Sequence, residues 1–329
     1  MPELPEVQTI VNDLNKKVKG LTITDAWTDW PKYFRRSKGG FEGFKKEIKN
    51  KKILRIWRLG KNIIFDLSGG KKALIHQKMT GHLLVGTWNL ELARPQRLRR
   101  SEVGRGTWYS KEGGLLTERV NGYIHVMFWL KGKSSLPTPP KQPLRLRRPG
   151  AKASKGTMLA LSDLRKFAKV LVVDEKHFKN LEDIKNIGPD PLKPSFNFEE
   201  FKSLITKKRG VVKKVLMDQN VISGIGNIYA DDILFTAKIH PLRKVEKLSA
   251  KELKEIFGAT LKILKKAVKL RGTSTSDYRD TSGKKGGYGN VRLVYQREGE
   301  KCSNKCGGII KRIKIGSRSA HFCPNCQKL

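Results

Sequence analysis

The sequence predicts an α+β protein, and three observations carry that prediction. Between residues 21 and 173 short apolar runs alternate with turn signals behind one helical repeat, a pattern that favours an antiparallel sandwich or barrel over a parallel α/β sheet. Beyond a connection containing Pro189, Pro191 and Pro194 the apolar spacing turns helical. All four cysteines fall in the last 28 residues, in two close pairs separated by a hairpin-length spacer.

Each element has its own signal. Val7, Ile10, Val11, Leu14 and Val18 recur at intervals of three and four, so the chain opens at a helix N-terminus. Strands are expected over 21–27, 53–57, 63–67, 73–76, 123–130, 158–161 and 170–173, with Arg58 to Asn62 as a hairpin turn. Helices are expected over 196–206, 211–218, 228–237 and 250–270. The last sixty or so residues return to Gly-rich turns and short β-like runs.

Two basic stretches interrupt the β pattern: 86–122, with Arg94, Arg97, Arg99, Arg100 and Arg105, and 131–155, with five prolines. The second reads as a mobile loop. Both suit phosphate contact, or equally a solvated insertion of no defined role. The expected domains are 1–187, a linker at 188–195, a helical part at 196–298 and a cysteine module at 299–329.

With 69 basic and 30 acidic residues the formal net charge is +39, which calls for a polyanionic partner. Nucleic acid is the first candidate and an anionic membrane surface the second. No run approaches the ~20 apolar residues of a membrane span, and no secretory signal opens the chain. An intracellular, cytoplasmic protein is expected. Cysteines confined to one end argue against a disulfide framework.

Three constellations carry chemistry. If Met1 is removed, Pro2 presents a secondary amine with Glu3 and Glu6 within a turn of it. Such an amine can attack a sugar C1′ carbon and form an iminium that acidifies the C2′ proton. The same residues are also ordinary helix-start residues. Cys302, Cys306, Cys323 and Cys326 have the composition of a closed structural zinc site, with a basic hairpin between the pairs. Gly224-Ile225-Gly226-Asn227 sits between two helical runs, where a tight turn and free N–H groups suit an anion.

The opening Met1-Pro2-Glu3-Leu4-Pro5-Glu6-Val7 resembles that of the formamidopyrimidine-DNA glycosylases, and Asp218 to Pro241 is similar to the helix-two-turn-helix segment of that family. The resemblance implies an N-terminal β-sandwich with flanking helices, a C-terminal helix-two-turn-helix domain and a zinc-ribbon β-hairpin holding one Zn2+. By the same resemblance Pro2 is the nucleophile, Glu3 the acid on the sugar ring oxygen and Glu6 its support. Lys61 matches a lysine that contacts phosphate near the damaged nucleotide, Lys213 and Asn227 a pair that holds a phosphate, and Arg318 a phosphate-binding arginine of the zinc hairpin. Met79 matches an intercalating methionine, while Arg165 and Phe167 match an arginine facing the orphaned cytosine and a phenylalanine wedge. Thr273, Ser274 and Tyr278 fall in a loop that closes over the extruded base.

The implied activity is that of a bifunctional DNA glycosylase and abasic-site lyase, monomeric on damaged duplex DNA, acting on oxidised purines. Leu4 resembles the purine-acting branch, whereas the pyrimidine-acting endonuclease VIII branch carries glycine there. The departures are three residues between Cys302 and Cys306 instead of two, Lys166 for arginine, Ala168 for glycine, and the polar His76-Gln77-Lys78 before Met79. Two other readings fit the charge and the cysteines: a non-catalytic zinc-ribbon binder of bent or damaged DNA, and an RNA- or ribosome-associated protein. The second leaves the Pro2-Glu3 opening and the Asn227 turn unaccounted for.

Overall fold

The computed structural model describes residues 1–92, 106–132, 156–275 and 277–329. The apolar stripe of the opening repeat forms helix α1 (Leu4–Lys17). It is followed by β1 (Thr22–Thr28), α2 (Gly40–Ile48), β2 (Ile53–Leu59), β3 (Asn62–Leu67), β4 (Lys71–His76), β5 (His82–Gly86), β6 (Trp88–Leu92) and β7 (Gly106–Ser110). Then come β8 (Ile124–Lys131), β9 (Met158–Ser162), β10 (Lys169–Asp174) and the short α3 (Glu175–Phe178). Two antiparallel four-stranded sheets, ordered β1-β8-β9-β5 and β10-β4-β3-β2, face each other as a sandwich. Alternate residues such as Ile23, Phe65, Ile75, Phe128, Leu159 and Val170 fill the space between them, and Val7, Ile10 and Leu14 of α1 join the same core.

Past the prolines lie α4 (Phe198–Thr206), α5 (Val212–Leu216), α6 (Asn227–Thr236) and α7 (Ala250–Lys269), then the hairpin β11 (Lys311–Ile315) and β12 (Arg318–Phe322). Asn197 caps α4, its side chain accepting the Glu200 N–H at 3.0 Å. Ser249 and Glu252 cap α7 as a reciprocal box. The helices share a core that includes Phe201, Leu216, Ile233 and Ile256. Leu4, although it belongs to α1, is buried in this second core, and its N–H donates to the Gly224 carbonyl at 2.9 Å.

Several boundaries differ from expectation. The five-residue turn between β2 and β3 is a two-residue turn, Gly60-Lys61, because Leu59 pairs directly with Asn62 and Gly60 supplies φ +58°. The stretch 86–122 is not a simple interruption, since β6 and β7 pair across it. Trp88 and Trp108 are buried there, and Trp108 packs edge-on against Trp27 and Trp129 at centroid distances of 5.1 and 5.9 Å. Helix α2 and strand β5 had no expectation attached to them. Arg94, Arg97, Arg99, Arg100 and Arg105 lie outside the described residues, as does the Pro-rich stretch from residue 133 to 155. Among the described residues no helix is long and apolar enough to cross a membrane.

Leu4 is fully buried at the meeting of the two units, so Leu4→Ala is expected to cost about 2–5 kcal/mol. Chemical denaturation should show the loss in the unfolding of the helical unit. An unchanged midpoint would contradict this packing.

Candidate active site and nucleic-acid face

The site begins at the first turn of α1. Glu3 is the N-cap, and its own N–H donates to Glu6 Oε2 at 2.7 Å. The Glu3 carboxylate is turned away from α1 and caps a different helix, α6, accepting from Gly226 N–H at 2.8 Å and Ile228 N–H at 3.0 Å. Burial pushes the Glu3 acid up, opposed by Lys61 and by the Ile228 and Tyr229 amides. Gly226 is required for the approach, since a Cβ there would lie 2.5 Å from Glu3 Oε1.

Glu6 receives the Tyr229 hydroxyl at 2.5 Å and the Thr273 N–H at 2.6 Å. Burial and the neighbouring Glu3 nonetheless raise its acid to about 7. Lys61, 7% exposed, donates from Nζ to the Ile225 carbonyl at 3.0 Å. Burial lowers its ammonium, while Glu3 and Glu6 raise it. Pro2 is buried between these groups and the exposed Met1. The chain's amine is lowered by burial and feels Glu3, Glu6, Lys61 and Asp277. The amino terminus, two buried carboxyls and a buried lysine therefore converge where the two units meet.

Around that pocket the other expected residues divide into groups. Asn227 opens α6, half-buried, with its Oδ1 unpartnered. Lys213 is 1% exposed, its Nζ 2.6 Å from both Asp231 Oδ1 and the Ser319 carbonyl. It faces inward, joining α6 to the zinc hairpin, and does not present its ammonium to solvent. Arg318 is exposed at the start of β12 and its charge is felt by both Lys61 and Lys213. Met79, Arg165 and Phe167 come together on one surface: Met79 is 42% and Phe167 52% exposed, and the Arg165 guanidinium lies 5.1 Å from the Phe167 ring centroid.

The expected lesion loop is only partly a loop. Thr273 is buried, wired to Glu6 through its N–H and to the Tyr229 hydroxyl through its own at 3.0 Å. Ser274 accepts the Gly286 N–H at 2.9 Å and donates to the Tyr278 carbonyl at 2.7 Å. Tyr278 departs from expectation: its ring belongs to the sandwich core, because the chain turns back against α1 there. Sequence reasoning also missed Tyr229, which was read only as part of a helix, and Asp163 with Thr80, which anchor the exposed surface. Asp163 stands in the very segment that supplied Arg165 and Phe167.

The cysteines Cys302, Cys306, Cys323 and Cys326 converge, with all four sulfurs within 4.8 Å of one another. Sulfur pairs at 3.3, 3.4 and 3.7 Å come close to the roughly 3.8 Å edge of a tetrahedron with 2.3 Å Zn–S bonds. The three-residue spacer does not prevent this, because Lys305 takes φ +54° and its N–H reaches back to the Cys302 carbonyl at 3.1 Å.

Comparison with known proteins decides the family. Residues 1–170 match the formamidopyrimidine-DNA glycosylase N-terminal domain, 187–279 its H2TH domain, and 299–329 the zinc finger found in FPG and IleRS. A formamidopyrimidine-DNA glycosylase of Pelotomaculum thermopropionicum is 32% identical over all of both chains. The chain belongs to the formamidopyrimidine-DNA glycosylase family. A Lactococcus lactis Fpg complex with abasic-site DNA covers 99% of this chain and 100% of its own at TM-score 0.75 and 28% identity. A variant of the same enzyme with Fapy-dG DNA covers 100% of each chain at TM-score 0.76 and 28% identity. In this glycosylase fold the four thiolates form the structural zinc site, closed and without a position for substrate.

Two outcomes follow for the pocket. Gly226→Ala drives the Glu3 carboxylate off α6, so base excision should fall at least about a hundredfold, as an ångström-scale displacement of a reacting group does. Wild-type excision rates for this variant would contradict the assigned approach. Glu6 titrates near 7 folded against 4.5 unfolded, so the folded state binds the extra proton between those values. Its contribution is favourable below the unfolded value and is lost as pH rises from about 4.5 to about 7, by up to about 3 kcal/mol. Thermal unfolding across that window should show the decline in wild type and a flatter profile in Glu6→Gln.

Proposed function

We propose that this chain is a bifunctional DNA glycosylase and abasic-site lyase of base-excision repair, acting as a monomer on oxidised purines in duplex DNA. The observation that carries this reading is the Glu3 carboxylate pinned on the first amides of α6, directly beside buried Pro2. With Met1 removed, the Pro2 nitrogen is a secondary amine in a pocket that holds an acid and a base ready. The extruded nucleotide's C1′ accepts its lone pair as the damaged base leaves. Glu3, its acid raised by burial, carries the proton to the ring oxygen and opens the sugar. The iminium acidifies the C2′ proton, and β- then δ-elimination expel the phosphates on either side.

The remaining residues supply grip and space. Lys61, Asn227 and Arg318 line the approach to that carbon from three separate elements and suit the phosphates beside it. Lys213 holds Asp231 and the Ser319 carbonyl, so its role in phosphate binding is to keep Asn227 and Arg318 in register. Met79, Arg165 and Phe167 form the surface that fills the duplex when the base leaves it. Leu4 supports a purine lesion over a pyrimidine one. The unit boundary is proposed at 188–195, and the setting is the cytoplasm, alongside the chromosome.

The test is direct. Intact mass should show Met1 absent, and borohydride should trap one covalent protein–DNA adduct with abasic-site duplex. A variant that carries one additional residue before Pro2 should bind the same duplex yet give no adduct. Protein that keeps Met1, binds, and is never trapped is a non-catalytic binder.

A further inference from the structure

We infer that Asp163 is a positioning residue for base extrusion, locking two loops into one preformed wedge through Thr80 and Tyr33. The inference rests on the glycosylase reading above and concerns a step before the chemistry. The loops come from different strand ends: 77–81 joins β4 to β5, and 163–168 joins β9 to β10. Asp163 is fully buried between them. Its carboxylate accepts the Thr80 hydroxyl at 2.5 Å, the Ala168 N–H at 2.8 Å and the Tyr33 hydroxyl at 3.0 Å.

A carboxylate has no hydrogen to give, so the direction of each of these bonds is fixed. Thr80 must point its single hydrogen at Asp163, and its oxygen is then free to accept the Arg165 N–H, at 3.0 Å. Burial and the adjacent Asp163 push the Tyr33 phenol up, which keeps it a donor. One buried acid thereby sets the backbone of the arginine in one loop and of the residue next to the methionine in the other.

The kink between Arg165 and Phe167 completes the arrangement. Lys166 takes φ +57°, uncommon for a side-chain-bearing residue, with its N–H on the Asp163 carbonyl at 3.1 Å and its ammonium 4.3 Å from the Trp30 ring centroid. Arg165 and Phe167 are thrown outward on either side of it. Their conformation is already fixed without DNA, so the ordering entropy of an inserting wedge is met by the fold, and extrusion becomes cheaper. A loop that wandered would meet that cost at every base pair inspected.

The experiment compares two substrates with the full-length, zinc-loaded protein: an 8-oxoguanine duplex in single turnover, and a duplex with a preformed abasic site. Loss of a charge-assisted bond is worth about tenfold or more, so Asp163→Asn and Thr80→Val should slow 8-oxoguanine excision by at least that. Both variants should cleave the abasic duplex within about twofold of wild type, where no base has to be expelled. Thr80→Ser keeps the hydroxyl and should restore excision. A 2-aminopurine beside the lesion should lose its fluorescence rise in Thr80→Val and regain it in Thr80→Ser. Equal slowing of both substrates, or of neither, overturns the assignment. Wild-type protein inert on both sinks the glycosylase reading and this inference with it.

Discussion

The contact on which the structure depends is the Glu3 carboxylate on the first amides of α6. A helix N-terminus offers unpaired N–H groups and a partial positive charge, and Glu3 answers both. Because the carboxylate belongs to the residue after Pro2, docking of the two units and placement of the Pro2 nitrogen are one set of bonds. Leu4 carries the same logic into packing. It sits in the helical core while Val7, Ile10 and Leu14, one to three turns later, sit in the sandwich core. The units cannot shift against each other without moving the head of the chain.

That arrangement buries charge, and burial explains the chemistry available. Glu3 and Glu6 are raised and Lys61 is lowered, all toward their neutral forms, because each loses water before it gains a full partner. Of the three, Glu6 is carried up to about 7, into the range where a carboxyl exchanges protons at neutral pH. The cations fall into two kinds on the same ground. Lys213 is buried and spends its ammonium on a carbonyl and a carboxylate inside the fold, and buried Lys61 gives a bond to the Ile225 carbonyl. Arg165 and Arg318 are exposed and face outward, where the chain's excess of positive charge draws in a polyanion at long range.

Much of this was legible in the sequence. Short apolar runs bounded by turn signals located seven of the sandwich strands, because strands buried in a sandwich need apolar side chains and the chain must reverse between them. The cysteine spacing announced a metal site, since thiols so close together have few other uses. The hairpin β6–β7 was obscured by the arginine-rich stretch between its strands, and its signal lay in Trp88 and Trp108, which meet only after the chain doubles back. Tyr278 was misplaced for a related reason. Its neighbours Gly272, Thr273 and Ser274 read as a loop, and nothing local reveals that the ring returns to the core. Lys213 read in the sequence only as half of a phosphate-holding pair, and its buried partner Asp231 lies eighteen residues on. Long-range partners of this kind leave no periodicity to read.

The zinc module is wired to the same helix that the Glu3 carboxylate caps. The strand β12 gives its Ser319 carbonyl to Lys213, and His321 places both its N–H and its ring on Asp231. Gln327 donates to the Ile239 carbonyl just beyond α6, and Phe322 packs edge-on against His240 at 4.5 Å between centroids. Asp231 is thus held by β12 on one oxygen and by Lys213 on the other, all of it out of water. Were the thiolates to release the metal, β12 would lose its anchor and leave a buried ion pair half satisfied, a costly state. The pair joins Lys213 of α5 to Asp231 of α6, one turn beyond Asn227 and the amides that hold Glu3. The zinc hairpin and the Glu3 carboxylate are therefore linked through the first turn or so of α6, and the ribbon's place in the fold follows from what α6 must keep still.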